Sequence, residues 1–218
     1  METIDALSLL WYHFDVVEPQ PTLLLFPYQR EYKFGRELQK QVNANMEGVC
    51  VSDGNNAGII AGCVAACSGN HLDIGTFFGG TAIIAAVAKR VFGQTGRIVT
   101  LDTYTPDIKG LVRAPTPALV RKNLQTWQVS SLVDAIQIDG HPWPLSGLFD
   151  TAYIDGDHGP DVRQDWEVCS RIVRRYIIFD DVCRRWPYPL HTFWDACKHP
   201  DWRPVFMSGV VGVVERYD

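Results

Sequence analysis

The chain is predicted to be α/β: a Rossmann-like, doubly wound seven-stranded sheet with a C-terminal antiparallel hairpin, preceded by an N-terminal helical extension. Three observations predict it. From His71 onward, short apolar runs alternate with segments of helical period, a pattern that buries a mostly parallel sheet between two layers of helices. The first of these runs, His71-Leu-Asp-Ile, breaks into the glycine-rich stretch Gly75-Thr-Phe-Phe-Gly79-Gly80 just ahead of a helical run opening at Thr81. The last two β-type runs, 203–207 and 210–216, are joined by Ser208-Gly209, a tight hairpin signal.

Length and composition bound the partners. With 218 residues, 46% hydrophobic and 21% charged, the chain can bury a full core in one domain, 53–218, with a leader, 1–52, outside it. The net charge is -5 and the Lys and Arg residues are scattered, which argues against tracking a phosphate backbone, so no nucleic acid partner is expected. The longest apolar run, 57–67, is too short to span a bilayer, and Met1-Glu-Thr-Ile-Asp lacks the basic start of a secretion signal. A cytoplasmic protein without a membrane partner is expected. Cys50, Cys63, Cys67, Cys169, Cys183 and Cys197 form no C-x-x-C pair and read as reduced thiols within apolar patterns.

In the leader, Leu7, Leu10, Trp11 and Phe14 fall at helical spacing, and Glu18-Pro-Gln-Pro21 ends that helix. A more polar helix is expected over 36–45. This aromatic-rich extension suits a packed structural piece, a cap over an acceptor pocket or a homodimer contact. Ser52-Asp53-Gly-Asn-Asn56 supplies capping chemistry for a small-residue helix over 57–67. Then follow strand 71–74, helix 81–92, strand 97–101, a Pro-rich loop over 104–117, helix 118–127, strand 133–138 and strand 149–154. A helix carries Val162, Trp166, Cys169 and Val173 on one side, strand 176–179 follows, and a helix carries Leu190, Phe193, Trp194 and Cys197. The pattern reads as five β–α units and a hairpin.

In a doubly wound sheet, ligands lie beyond the carboxyl ends of the strands. Here Asp102, Asp139, Asp155, Asp157, Asp180 and Asp181 all follow strands. Carboxylates crowded on one rim repel unless cations or hydrogen-bond donors answer them. Gly75, Gly79 and Gly80 allow a tight turn whose free N–H groups, at a helix start, favour a polar ligand, and Asp102 can accept two hydrogen bonds from a ribose diol. A dinucleotide site wants G-x-G-x-x-G with an acid roughly 20 residues on, and Gly75-x-x-x-Gly79-Gly80 with Asp102 further away does not match it.

The Leu-Asp-Ile-Gly lead-in and this spacing resemble motif I of the class I S-adenosylmethionine-dependent methyltransferases, whose element order also matches from Asp53 to Asp218. Within that class, Asp155 with His158 three residues later, and Phe179-Asp180-Asp181-Val182, resemble the metal-dependent O-methyltransferases of the catechol, caffeoyl-CoA and macrolide-sugar groups. The resemblance implies S-adenosylmethionine held by Asp73, Gly75, Thr76, Phe77, Gly79, Gly80 and Thr81 at the methionine end. It implies Asp102 on the ribose, Asp139 and Gly140 on the adenine amino group, and Asp155 beside the cofactor. It also implies Mg²⁺ held by Asp155, Asp180 and Asp181.

Methyl transfer to oxygen needs a deprotonated hydroxyl, and a hard cation on carboxylates lowers the acceptor's pKa. His158, where the catechol group has Lys, is a candidate base beside Asp155; it also suits a metal or cofactor contact, or a helix cap. Asp157 reads as a helix-start group. His141 and Trp143 can flank an adenine, while His13, His71, His191 and His199 read as structural. Trp186-Pro-Tyr-Pro189 and Tyr104 would wall a pocket for a small-molecule acceptor. The expected activity is O-methylation of a small-molecule hydroxyl. The alternatives are a metal-free N- or O-methyltransferase with Asp180 and Asp181 on the acceptor, and a cofactor-binding protein without turnover.

Overall fold

A computed structural model describes residues 26–48, 54–105, 114–143, 145–156 and 158–217. The expected helix around Leu7 to Phe14, His13, Cys50, the Ser52-Asp53 cap, most of the Pro-rich loop and Asp157 lie outside the described residues. Helices α1 (Gln29–Asn45) and α2 (Gly54–Ala65) precede the sheet. Then come β1 (His71–Ile74), α3 (Gly80–Val91), β2 (Ile98–Asp102), α4 (Pro117–Thr126), β3 (Val133–Gln137) and β4 (Phe149–Ile154). The chain continues through α5 (Val162–Ile172), β5 (Val173–Phe179), α6 (Pro187–Lys198), β6 (Trp202–Ser208) and β7 (Val211–Arg216).

The seven strands lie in the order β3-β2-β1-β4-β5-β7-β6, with β7 antiparallel between β5 and β6. That is the mixed, doubly wound sheet with a terminal hairpin that the alternation predicts. The chain reverses its winding at β1, which pairs in parallel with both β2 and β4. Every residue of β1 is buried, as befits a central strand covered on both faces. One apolar cluster joins residues of α1 to α4 to one face of the sheet, and a second joins α5 and α6 to the other.

Several boundaries differ from the sequence reading for tertiary reasons. β3 runs to β4 without an intervening helix, so the β–α units number fewer than five. Val173, placed on a helix face by its spacing, opens β5 and pairs with Phe149. The hairpin pairs Ser208 with Val211, so the turn is Gly209-Val210, with Gly209 at φ 59, one residue later than expected. α1 begins at Gln29 rather than Arg36; its Gly35 lies so close to α2 that an added Cβ would meet the Ala57 carbonyl oxygen at 2.3 Å. Phe26 packs edge-on or tilted against Tyr28, Tyr32 and Phe206, which seats this part of the leader in the main core.

Lys89, buried near the end of α3, donates to the carbonyls of Cys67, Gly69 and Thr95 at 3.1, 2.6 and 2.9 Å. It thereby pins the segment that enters β1, and so indirectly the height at which β1 ends.

The tips of the parallel strands are level. Ile74 pairs with Leu101 and with Ile154, and Ile154 with Phe179. The next residues, Gly75, Asp102, Asp155 and Asp180, therefore stand along one edge.

Candidate functional site

The turn after β1 is built from backbone. The N–H groups of Gly75 and Thr76 both donate to the Leu101 carbonyl, at 2.9 and 3.2 Å, and Gly79 N–H closes the turn on the Thr76 carbonyl at 2.6 Å. Gly75 has φ 98, and a Cβ there would lie 2.0 Å from the Asp155 carbonyl oxygen, so only glycine lets the β1 and β4 tips approach this closely. α3 starts on Gly79 at φ 88 with no side-chain cap, which leaves its first N–H groups available to a ligand.

Beneath the turn, Asp73 is buried and accepts from Thr100 Oγ1 at 2.6 Å, while Thr76 Oγ1 meets the same hydroxyl at 2.6 Å. Burial pushes Asp73 up to about 7, against the hydroxyls of Thr100 and Thr81. Its other oxygen, Oδ1, has only the Thr81 hydroxyl to face, and among the described residues no further partner reaches either buried atom. Polar atoms stranded in this way usually mark a missing partner, which suits the amino and carboxylate end of a bound amino acid.

Asp102 organises both neighbouring turns. Its Oδ2 accepts from Phe77 N–H and its Oδ1 from Tyr104 N–H, each at 2.6 Å, and Phe77 and Tyr104 both have positive φ. Each oxygen keeps a lone pair for an external donor. Ile138 N–H donates to the Asp102 carbonyl at 2.9 Å, which sets Asp139 and Gly140 beside Asp102 on the same rim. Asp139 is exposed, and Gly140, at φ 105, has open space where a side chain would be. His141 and Trp143 stack on each other with centroids 4.6 Å apart, and His141 Nε2 lies 2.8 Å from Oδ1 of the buried Asp165 on α5.

The acidic pair at β5 divides its work. Asp180 is buried; its Oδ2 accepts from Asn56 at 2.7 Å and from the Tyr153 hydroxyl at 2.6 Å, and its Oδ1 from Asp181 N–H at 2.7 Å. Asp181, with φ 54, directs a carboxylate oxygen to His158 Nε2. His158 lies against the Trp186 ring, centroids 4.2 Å apart, and the Arg185 guanidinium sits over that same indole, 5.1 Å from its centroid. Burial, reinforced by Asp180, Asp181 and Asp73, holds Asp155 well above the usual carboxylate range, and burial also raises Asp180.

Of the residues expected to hold a cation, Asp155 and Asp181 come together with His158, one ligand atom from each lying within 4.8 Å of the others. Asp180 is not part of that trio; its Oδ2 accepts from Asn56 and Tyr153 and its Oδ1 from the Asp181 N–H. Sequence reasoning passed over Asn56, Tyr153 and Asp165. Tyr153 had a signal, since a residue two before Asp155 shares its face of the strand. Asn56, next to Asn55 in a stretch read as capping chemistry, had none.

No family model matches the sequence, and no curated relative matches it. Solved structures do match. The SAH-bound methyltransferase PaMTH1 of Podospora anserina is 15% identical, with 100% of this chain and 97% of that one covered and a TM-score of 0.58. The O-methyltransferase TomG of Streptomyces achromogenes, in complex with SAM and involved in tomaymycin synthesis, is 13% identical over 96% of this chain and 95% of its own, with a TM-score of 0.58. A SAM-dependent O-methyltransferase of Thermotoga maritima is 13% identical over 83% and 71%, again with a TM-score of 0.58. At these identities the likeness speaks for architecture alone, the mixed seven-stranded sheet with its terminal hairpin. The chain has the class I S-adenosylmethionine-dependent methyltransferase fold.

Proposed function

We propose that this protein is an S-adenosylmethionine-dependent O-methyltransferase that acts on a hydroxyl of a small molecule with the help of a divalent cation, Mg²⁺ in the sequence reading. The observation that carries the proposal is the level row of strand tips. It sets a glycine turn over the buried Asp73–Thr81 pair, Asp102 with a lone pair left on each oxygen, and the Asp155–His158–Asp181 trio along one edge.

In the reaction, an acceptor oxygen attacks the methyl carbon in line with sulfur, the C–S bond breaks, S-adenosylhomocysteine leaves and the hydroxyl proton is lost. Asp73 and the Gly75–Gly80 turn would hold the amino acid end of the donor, and Asp102 its ribose. Asp139, Gly140 and the stacked His141 and Trp143 would border the adenine. Asp155 and Asp181 would hold the cation, which lowers the pKa of a hydroxyl brought to it. Trp186 and Tyr104 would form aromatic walls suited to a compact acceptor.

The close approach of His158 to Asp181 favours a second reading, without metal, in which the carboxylate orients the imidazole as general base. Two measurements test the proposal. Calorimetry with S-adenosylhomocysteine should give one site per chain, and its absence sinks both readings. Transfer of a labelled methyl group to a panel of phenols and sugars should fall on EDTA treatment and return with Mg²⁺. Transfer that survives EDTA selects the metal-free reading.

A further inference from the structure

The donor atoms of the trio belong to two chemical kinds, and this bears on which ion they take. We propose that Asp155, His158 and Asp181 bind one divalent cation through two carboxylate oxygens and one imidazole nitrogen, and that this set selects a later first-row transition ion such as Co²⁺ or Zn²⁺ over Mg²⁺. The inference rests on reading the cluster as a cation site, and its test needs no methyl transfer.

The three residues are near enough to share an ion after small side-chain adjustments. One atom from each lies within 4.8 Å of the others, against the roughly 4.0–4.4 Å that opposite ligands bonded at about 2.0–2.2 Å span, and the ion would take the place of the direct His158–Asp181 hydrogen bond. His158 Nε2 is the ring atom already turned to Asp181, and the face of Trp186 holds the imidazole plane. The third carboxylate nearby, Asp180, meets Asn56, Tyr153 and Asp181 N–H instead. It acts as a positioning residue for the strand end that carries Asp181.

The all-oxygen set expected from the sequence thus becomes a nitrogen and two oxygens. Mg²⁺ favours oxygen and water and gains little from imidazole, whereas imidazole is a good ligand for the later divalent ions of the row.

The full chain, stripped with EDTA and exchanged into metal-free buffer, would be titrated by calorimetry with MgCl₂ and CoCl₂. Visible absorption of the Co²⁺ form would report on its ligands. One ion per chain is expected, with Co²⁺ at least roughly tenfold tighter than Mg²⁺. His158→Gln, at a side chain 42% exposed, should cost Co²⁺ roughly tenfold or more and alter its absorption bands, while Mg²⁺ changes by less than about threefold. Asp181→Asn should weaken every ion.

Equal or tighter Mg²⁺ binding, Co²⁺ binding indifferent to His158→Gln, or no ion bound at all would each overturn the inference. S-adenosylhomocysteine titrated into the same samples separates the two readings. Cofactor binding without the ion preference defeats this inference alone, and ion preference without cofactor binding defeats the methyltransferase reading alone. Thermal unfolding of each variant shows that the fold survives.

Discussion

The side-chain amide of Asn56 donates to Asp180 Oδ2 at 2.7 Å across 124 residues of sequence. A helix that precedes the sheet thereby reaches the tip of its fifth strand. The same amide lies 3.2 Å from the Tyr153 hydroxyl, which itself donates to Asp180 at 2.6 Å. Asp180 is thus a buried acceptor with its donors fixed in advance. Replacing Asn56 by Leu keeps the volume and removes a donor from a buried carboxylate, a loss of about 1–3 kcal/mol. Urea unfolding should show that loss at neutral pH, and a variant as stable as the parent would mean that the contact carries no weight.

Asp102 holds Phe77 and Tyr104 by their N–H groups, and under the proposed function its remaining lone pairs would receive the ribose hydroxyls. Asp102→Ala is expected to weaken S-adenosylhomocysteine binding by roughly 100-fold or more, consistent with loss of charge-assisted hydrogen bonds. Calorimetry measures it directly, and unchanged affinity would remove Asp102 from the cofactor site.

Asp155 should separate binding from chemistry. Its carboxylate belongs to the trio with His158 and Asp181, so Asp155→Ala should leave S-adenosylhomocysteine bound while abolishing cation-dependent methyl transfer. Full turnover in that variant would defeat the cation's role. Relief of crowding among Asp155, Asp180 and Asp181 should also make the variant no less stable than the parent in the absence of metal.

His71 sets an acid limit on stability. Burial, with a smaller contribution from the charge of Lys89, lowers its pKa to about 3, whereas in the unfolded chain it protonates near 6.5. Between those values the unfolded state binds the extra proton. Stability from this group is therefore intact above about pH 6.5 and falls as the pH drops, by about 1.4 kcal/mol per unit. His71→Asn, which can keep a polar contact to Thr151, should lose less stability than the parent between pH 7 and pH 5. Parallel losses in urea unfolding would contradict this.

Gly75 tolerates no side chain. With φ 98 and a prospective Cβ at 2.0 Å from the Asp155 carbonyl oxygen, Gly75→Ala must both adopt a strained backbone and push the β1 and β4 tips apart. A loss of roughly 2–5 kcal/mol is expected, together with loss of S-adenosylhomocysteine binding. A soluble variant with parental melting temperature and cofactor affinity would show that the tips can separate freely.

Much of this was written locally. The apolar spacing of α3, the run His71–Ile74 and the run Phe149–Ile154 were legible with correct or nearly correct ends, because spacing and glycine placement are properties of a few consecutive residues. The recurrence of acids just after strands was legible for the same reason. Val173 was misplaced because its helical spacing competed with a β partner, Phe149, that only the folded sheet supplies.

By itself, the sequence determined the class of fold, the glycine turn at the switch point and the acidic rim that carries the candidate site. The tertiary structure alone decided how neighbouring carboxylates differ: Asp181 faces His158, while Asp180 faces Asn56 and Tyr153. Two adjacent aspartates are chemically identical as letters. They diverge because a left-handed φ at Asp181 and donors from distant elements give them opposite surroundings, and long-range contacts of that kind leave no periodic trace in the chain.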